Sequence, residues 1–251
     1  MLNSASAGAI SARPFAPAPC FTAAADALFA AATVLLAELD AGRAINAAIL
    51  RRAMEDAFGA SDAEGAWDWK SAYDACEAAQ VLFFRKHGPA IFRKSADPQV
   101  RLRLIERVAG LLPTHTRRSE TSQALQQFST PAGLAYIVAV AAGVGAGDLI
   151  LEPSAGTGML AIQAEVAGAG LVLNELAETR AALLARLFPD VGVSRFDAAQ
   201  IDETSWKQGR DKAWLWVAAT KWVTVFTIAS SRGAEVAQAI LGRAAEKIAI
   251  C

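Results

Sequence analysis

The chain has 251 residues, of which 54% are hydrophobic and 20% charged, so it can bury a core and is not an intrinsically disordered protein. Its formal net charge of −1 excludes a global electrostatic attraction to nucleic acid or to a membrane surface. Its three cysteines form no CxxC pair and its two histidines stand apart from them, which argues against a disulfide framework or a metal site and fits a cytoplasmic protein.

The N-terminal half of the sequence predicts helices. Residues 1–20 are rich in proline and alanine and predict a disordered arm, whereas residues 21–112 have helical periodicity and predict a small helical region. Four helices are expected there: over 22–39, over 44–58, from Trp69 to the breaker His87-Gly88-Pro89, and from Asp97-Pro98 to Pro113. Residues 113–127 are the predicted linker.

Strand–helix alternation follows the linker. Ser129-Thr130-Pro131 can start a helix through Ala142, and the apolar run 132–147 has 16 residues, too few to span a bilayer, so no membrane partner is expected. Short strands are predicted at 148–152, 170–174 and 191–196, with helices at 159–167 and 177–188 between them. This order predicts a parallel sheet and the α/β fold class, with an incomplete Rossmann-like domain over 128–205 after the helical region.

The tail over 206–251 diverges from this pattern. Four of the six tryptophans fall between 206 and 222, and residues 213–229 read as β-rich. Residues 234–249 predict an amphipathic helix at the C-terminal end.

A glycine-containing loop joins the first predicted strand to its helix. Its glycines let a ligand approach the backbone, and the helix N-terminus supplies free N–H groups. Acidic residues end the three successive strands, where ligands of open α/β sheets bind: Glu152, Glu175 and Asp197. We expect the first to attract an ammonium group, the second to bind ribose hydroxyls and the third to accept from an adenine amino group. The alternative that these carboxylates only cap helices or end strands in water stays open for Glu152 taken alone.

A dinucleotide is the competing ligand, because Gly156, Gly158 and Ala161 also match the pattern G-x-G-x-x-A. A pyrophosphate beside the Glu152 carboxylate would suffer like-charge repulsion. S-adenosylmethionine, which carries a positive end, is therefore the expected cofactor. The residues predicted to contact it are Phe128, Thr130, Pro131, Glu152, Pro153, Ser154, Ala155, Gly156, Thr157, Gly158, Glu175 and Asp197.

The segments Gln127–Pro131 and Leu151–Gly158 resemble the first two cofactor motifs of N6-adenine DNA methyltransferases. More closely, the sequence from about Ala66 through Leu112–Arg118 to Asp197–Gln200 resembles the N-terminal part of strawberry-notch-type methylase/helicase proteins of mobile genetic elements. The resemblance covers roughly residues 22–201. It implies an S-adenosylmethionine-dependent methyltransferase fold, methyl transfer to adenine N6 in DNA, and a helicase portion that this chain does not contain.

The sequence departs from that family at the base-binding motif. Adenine methyltransferases have Asn or Asp followed by Pro-Pro and an aromatic residue, and Pro-Pro occurs nowhere in this chain. No catalytic residue is therefore nominated, and the alternatives are a non-catalytic cofactor- or DNA-binding module, or a helical interaction domain on an enzyme remnant. DNA contact is expected in the basic stretch 85–118, which has nine Lys/Arg against two acids, and in particular at Arg117 and Arg118.

Overall fold

The structure is a computed structural model that describes residues 22–113 and 129–195 in full and the backbone of residues 200–208, 211–219 and 224–229. Four helices form the first part: α1 (Ala23–Asp40), α2 (Ala47–Phe58), α3 (Trp69–Lys94) and α4 (Pro98–Ala109). Side-chain oxygens of the preceding residues accept hydrogen bonds from the first-turn N–H groups, as at Thr22, Asn46, Asp68 and Asp97. These caps fix where each helix begins.

Helices and strands alternate in the second part. In chain order they are α5 (Ala132–Ala141), β1 (Leu149–Glu152), α6 (Met159–Ala167), β2 (Gly170–Asn174), α7 (Glu178–Leu187) and β3 (Val193–Ser194). The strands form a parallel sheet in the order β1-β2-β3, with Leu149 paired to Gly170 and Leu173 to Val193. The carboxyl ends of β1 and β2 therefore meet at one edge of the sheet, where the glycine-containing loop begins.

Helix α3 does not end at the predicted breaker, and this prediction is wrong. The helix continues through Pro89 to Lys94, although a proline inside a helix costs about 3 kcal/mol. Tertiary packing offsets that cost, because α3 lies against α6 at Gly88. A Cβ atom at Gly88 would lie 2.7 Å from Val166 Cγ2, so the absence of a side chain is what lets the two helices approach.

The first four helices, α6 and α7 share one hydrophobic core. Small side chains in its centre let the helices approach closely, including Ala31 of α1, Ala75 and Ala79 of α3, and Ala182 of α7. Larger side chains such as Leu35 and Leu183 fill the space between them and are fully buried, each stabilising the fold by about 1.5–3 kcal/mol. Cys76 lies in the same core.

A second sheet lies in the C-terminal part. Its strands are β4 (Gln200–Gln208), β5 (Asp211–Ala219) and β6 (Thr224–Ala229), antiparallel in the order β4-β5-β6. Strand β6 and all but the first two residues of β5 fall within the stretch 213–229 predicted to be β-rich, but β4 was not predicted. Its polar sequence, QIDETSWKQ, gives little apolar alternation to identify it. Within the described residues, no helix is both long and apolar enough to cross a membrane.

Candidate functional site

The loop between β1 and α6 is tied to the end of β2 by backbone contacts. The Ala155 N–H donates to the Asn174 carbonyl oxygen at 2.9 Å, and the Asn174 side-chain amide donates to the Pro153 carbonyl oxygen at 2.9 Å. Ser194 of β3 in turn donates to the Asn174 side-chain oxygen at 2.8 Å. The loop is therefore held in place by hydrogen bonds to β2, and the Asn174 side chain that makes one of them is itself bound by β3.

The two glycines of the loop have different roles. Both adopt positive φ angles, +57° at Gly156 and +91° at Gly158. A Cβ atom at Gly158 would lie 2.5 Å from Phe188 Cε2 and 2.9 Å from Leu184 Cδ1, so this glycine is required by core packing. A Cβ atom at Gly156 would meet only Arg180 Nη1, at 3.8 Å. Space beside the backbone is therefore open at Gly156 and filled at Gly158.

Glu175, predicted to bind ribose hydroxyls, binds the backbone in this structure. One carboxylate oxygen accepts from the Gly156 N–H at 2.8 Å, and the other accepts from the Ala177 N–H at 2.8 Å, just before α7. The side chain is buried. Its two oxygens thus hold the loop and the start of the next helix together.

Of the two predicted acids that the structure describes, Glu152 accepts fewer hydrogen bonds than Glu175. Its side chain is buried, and within the described residues its one hydrogen bond is from the Ser154 N–H at 3.5 Å, near the limit for such a bond. Burial raises the pKa of Glu152, and the nearby charge of Glu175 adds to the effect. A cationic group placed here would stabilise the ionised carboxylate.

A buried acid of α3 also reaches the loop, and the sequence analysis did not identify it. One oxygen of Glu77 accepts hydrogen bonds from the Ser129 hydroxyl at 2.6 Å and from the Thr157 hydroxyl at 2.7 Å. Burial raises the pKa of Glu77 to about 7, and the negative charge of Asp74 contributes. The available signal was a pair of acids, Asp74 and Glu77, three residues apart in a predicted helix whose neighbouring residues are mostly small or apolar.

Asp74 forms a buried ion pair beside this network. Arg180 of α7 binds it through two nitrogens, at 2.6 and 3.2 Å, and Lys70 binds it at 3.1 Å. Four carboxylates and two cations therefore lie around the loop. Among the described residues no group of His, Cys, Asp and Glu has an arrangement that could hold a metal ion.

The remaining predicted site residues divide into two groups. Thr130 and Pro131 lie at the start of α5, half-buried and exposed respectively, and Ser154 is exposed in the loop. The predicted ligand contacts Phe128 and Asp197 and the predicted DNA contacts Arg117 and Arg118 lie outside the described residues.

The basic stretch contains cations with and without partners. Arg85 binds Glu165 at 2.7 Å and the Leu187 carbonyl oxygen, and Lys86 binds Asp40 at 2.5 Å. Arg101 donates to the Ser95 and Phe92 carbonyl oxygens, which fixes α4 to the end of α3. Four others are exposed and form no ion pair within the described residues, and we call them the α3–α4 cation cluster: Arg93, Lys94, Arg103 and Arg107.

Comparison with known protein families found a match over part of the chain. A family model described as Transposase IS66 family matches residues 179–250. The matched range begins within α7 and includes β3 and the whole antiparallel sheet β4-β5-β6. No curated protein and no solved structure matches the chain.

This match corrects the family and function inferred from the sequence. The assignment to strawberry-notch-type methylase/helicase proteins, the adenine-N6 methyl transfer and the enzyme class that followed from it are wrong, because the matched family is one of transposases. The structure also gives a physical reason why glycines and acids at the strand ends did not indicate a methyltransferase. Gly158 is explained by packing against Phe188, and Glu175 is explained by its hydrogen bonds to two backbone N–H groups. The chain is thus similar in its C-terminal part to the transposases of the IS66 family.

Proposed function

We propose that this chain is a transposase-related, DNA-binding protein of a mobile genetic element. The observation that carries the proposal is the match of residues 179–250 to the IS66 transposase family. The regular pairing of β4 with β5 and of β5 with β6 lies inside that range and supports a folded unit there. DNA is the substance on which a transposase acts, and DNA is therefore the proposed partner.

The α3–α4 cation cluster supports a phosphate contact. Arg103 and Arg107 are four residues apart on α4 and share one face of the helix. Arg93 and Lys94 lie in the last turn of α3, next to α4, and the acids closest in sequence to the four cations are Asp97 and Glu106. Exposed cations without acidic partners are free to replace the counterions of DNA phosphates. Within the described residues, this cluster is the proposed site of contact with DNA phosphates.

The test measures binding of the full chain to double-stranded DNA by fluorescence anisotropy at a series of salt concentrations. We expect the double variant Arg103→Gln/Arg107→Gln to bind more weakly, with a salt slope smaller by about 1–2, since each lost phosphate contact removes about 0.9. The control Arg51→Gln/Arg52→Gln removes two exposed cations from α2 and should leave the slope unchanged. Absence of binding at low salt would refute DNA as the partner, and equal losses in both variants would refute the cluster.

A second candidate function is binding of S-adenosylmethionine at the carboxyl edge of the parallel sheet, without methyl transfer. The specific observation in its favour is Glu152, a buried carboxylate with a single long hydrogen bond at 3.5 Å. An ammonium or sulfonium group would stabilise this carboxylate, and the open space at Gly156 leaves room beside the loop. We propose, together with this, that β1–β3 with α6 and α7 belong to a Rossmann-like domain.

Calorimetric titration of the full chain with S-adenosylmethionine and with NAD tests the second candidate. We expect S-adenosylmethionine to bind more tightly, because a pyrophosphate would be repelled by Glu152. Glu152→Gln should weaken the binding by on the order of 1–3 kcal/mol, the range for a charge-assisted hydrogen bond. The exposed Asp56→Asn on α2 is the matched control and should change nothing. Tighter binding of NAD, or an unchanged dissociation constant in Glu152→Gln, would exclude this ligand site.

A further inference from the structure

Helix α4 follows α3 after a short turn, residues 95–97. Arg101 holds α4 against the end of α3, because its guanidinium donates to the Ser95 and Phe92 carbonyl oxygens at 2.6 and 3.0 Å. The same group lies 4.4 Å from the centre of the Phe92 ring. Two helices joined by such a turn form a unit of many DNA-binding proteins, in which the second helix lies in the major groove. Helix α4 has the connection and the fixed position of that second helix.

One side of α4 is packed and the other is exposed. The packed side lies against α3 and α5, and Ile105 on that side is buried. On the other side, Gln99, Arg103 and Arg107 are exposed and follow one another at intervals of four residues. They therefore form one stripe along about 12 Å of the helix. None of these three side chains has a hydrogen bond or an ion pair within the described residues, and we call them the α4 stripe.

The α4 stripe combines a neutral amide with two guanidinium groups, and both kinds of side chain can read base edges. A glutamine can make two hydrogen bonds to adenine N6 and N7, and an arginine can make two to guanine O6 and N7. Counterion release from phosphates requires cations, so it accounts for the arginines but not for Gln99. Next to the stripe, the exposed acid Glu106 would be repelled by phosphates but can accept from cytosine N4. The composition of this face therefore favours bases over phosphates alone.

Exposed cations lie just before the turn that leads to the stripe. Arg93 and Lys94 are in the last turn of α3, and Gln99 and Arg103 are in the first half of α4. In DNA-binding units of this kind the first helix crosses the DNA backbone, and the N-terminal residues of the second reach base edges. The cations of α3 are thus placed for phosphates and the α4 stripe for bases. Polar and charged side chains are stable in water, so this face needs no cover within the chain.

We propose that α4 is a recognition helix that enters the major groove of double-stranded DNA and reads base edges through Gln99 and Arg103. The helix has 12 residues, and a helix with its side chains is about 10–12 Å across, which a groove about 12 Å wide admits. Arg93, Lys94 and Arg107 contact phosphates beside the groove. This inference rests on the proposed DNA binding and adds to it a preference for particular base pairs.

Selection by the full chain from a pool of DNA duplexes with a random central sequence tests the readout. We expect a common sequence to be enriched over successive rounds. The selected duplex should then bind on the order of 1,000-fold more tightly than a scrambled duplex of the same composition. Binding without enrichment of any common sequence would refute readout by α4 and leave the proposed DNA binding in place. Absence of binding to the whole pool at low salt would refute both.

Two variants that keep the charge of α4 test whether the stripe carries the preference. Gln99→Ala removes the amide, and Arg103→Lys replaces the planar guanidinium by a single ammonium group. Each should lower the ratio of selected to scrambled affinity by about 5- to 150-fold, the equivalent of 1–3 kcal/mol per base contact. Both residues are exposed and both replacements favour helix, so the variants should fold.

The matched control is Arg52→Lys on α2, where the side chain is 85% exposed, and it should leave the ratio of affinities unchanged. A ratio that stays at the wild-type value in both Gln99→Ala and Arg103→Lys would place the readout on another element and refute the recognition helix. An equal fall in Arg52→Lys would refute it as well, because the loss would then not depend on α4.

Discussion

At Gly158 the backbone and the packing both require a residue without a side chain. The φ angle is +91°, and a Cβ atom would lie 2.5 Å from Phe188 Cε2. We expect Gly158→Ala to lower the free energy of unfolding by about 2–4 kcal/mol, from backbone strain and overpacking together. Urea denaturation of both variants measures the difference. Gly59→Ala is the control, because Gly59 has a φ of +74° but nothing within 4 Å of its would-be Cβ, and it should cost clearly less. Equal losses would show that packing at Gly158 is unimportant.

The buried carboxyl of Glu77 makes stability depend on pH. Burial raises its pKa to about 7, whereas the ordinary value is 4.5, so the folded protein binds this proton more tightly than the unfolded chain does. The resulting stabilisation is fully present below pH 4.5 and is lost as the pH rises to about 7. Between pH 4.5 and about 7, we expect the free energy of unfolding of the wild type to fall relative to that of Glu77→Gln. At higher pH the two free energies should change in parallel. Chemical denaturation between pH 4 and 8 measures the effect.

An exposed acid provides the opposite sign for comparison. Hydrogen bonds from the Ser61 side chain and backbone lower the pKa of Glu64 below 4.5. The contribution of Glu64 to stability is therefore present above that ordinary value and is lost as the pH falls through the lowered pKa.

For the Glu77 experiment, a wild-type free energy of unfolding that changes with pH in parallel with that of Glu77→Gln throughout would show that the buried carboxyl does not titrate between pH 4.5 and 7.

At the scale of elements, the cap of α2 is a separable source of stability. The Asn46 side-chain oxygen accepts from the N–H groups of Ala48 and Ile49, both at 3.0 Å. Asn46→Ala leaves both donors without this partner and should lower the free energy of unfolding by about 1 kcal/mol, while Asn46→Asp retains the acceptor and should cost little. Thermal denaturation followed by circular dichroism compares the two. If both substitutions cost the same, the cap does not stabilise the helix.

Local signals were sufficient to predict some elements and insufficient for others. The Asp97-Pro98 cap predicted the start of α4, and the alternation of strands and helices after the linker predicted α6 over 159–167, which is the observed range. Both signals lie in the sequence next to the element concerned. The course of α3 through Pro89 was not predictable in this way, because it depends on contact between Gly88 and Val166 of another helix. The strand β4 was missed because its stability comes from pairing with β5 and not from its own composition.

In the candidate site too, residues near the loop in sequence were predictable and a residue far from it in sequence was not. The sequence placed Glu152, Glu175 and Gly156 at neighbouring strand ends, and the structure brings these residues together. It could not identify Glu77, which precedes Thr157 by 80 residues and reaches it only because α3 packs beside the loop. The function inferred from the loop was wrong because glycines and acids at strand ends also serve packing and helix starts.

At the scale of the whole molecule, the two sheets share no strand pair within the described residues, and Val193 is the last core residue among those whose burial the structure describes. We therefore expect a chain ending at Arg195 to retain its helices and to unfold cooperatively. Circular dichroism at 222 nm during heating provides the measurement, with the full chain as the reference. Loss of helical signal in the shortened chain would mean that the helical core needs the C-terminal sheet.

The position of Cys76 gives α3 a built-in chemical reporter. Burial raises the pKa of its thiol to about 12, and the charge of Glu77 adds to this, so the folded protein holds almost no thiolate. The thiolate, and not the thiol, is the nucleophile that attacks an alkylating reagent. In a chain whose other two cysteines are replaced by serine, the rate of alkylation therefore measures how often α3 separates from the helices packed against it and exposes Cys76 to solvent. The thiol that does not react in the native protein thus reports on the local opening of α3.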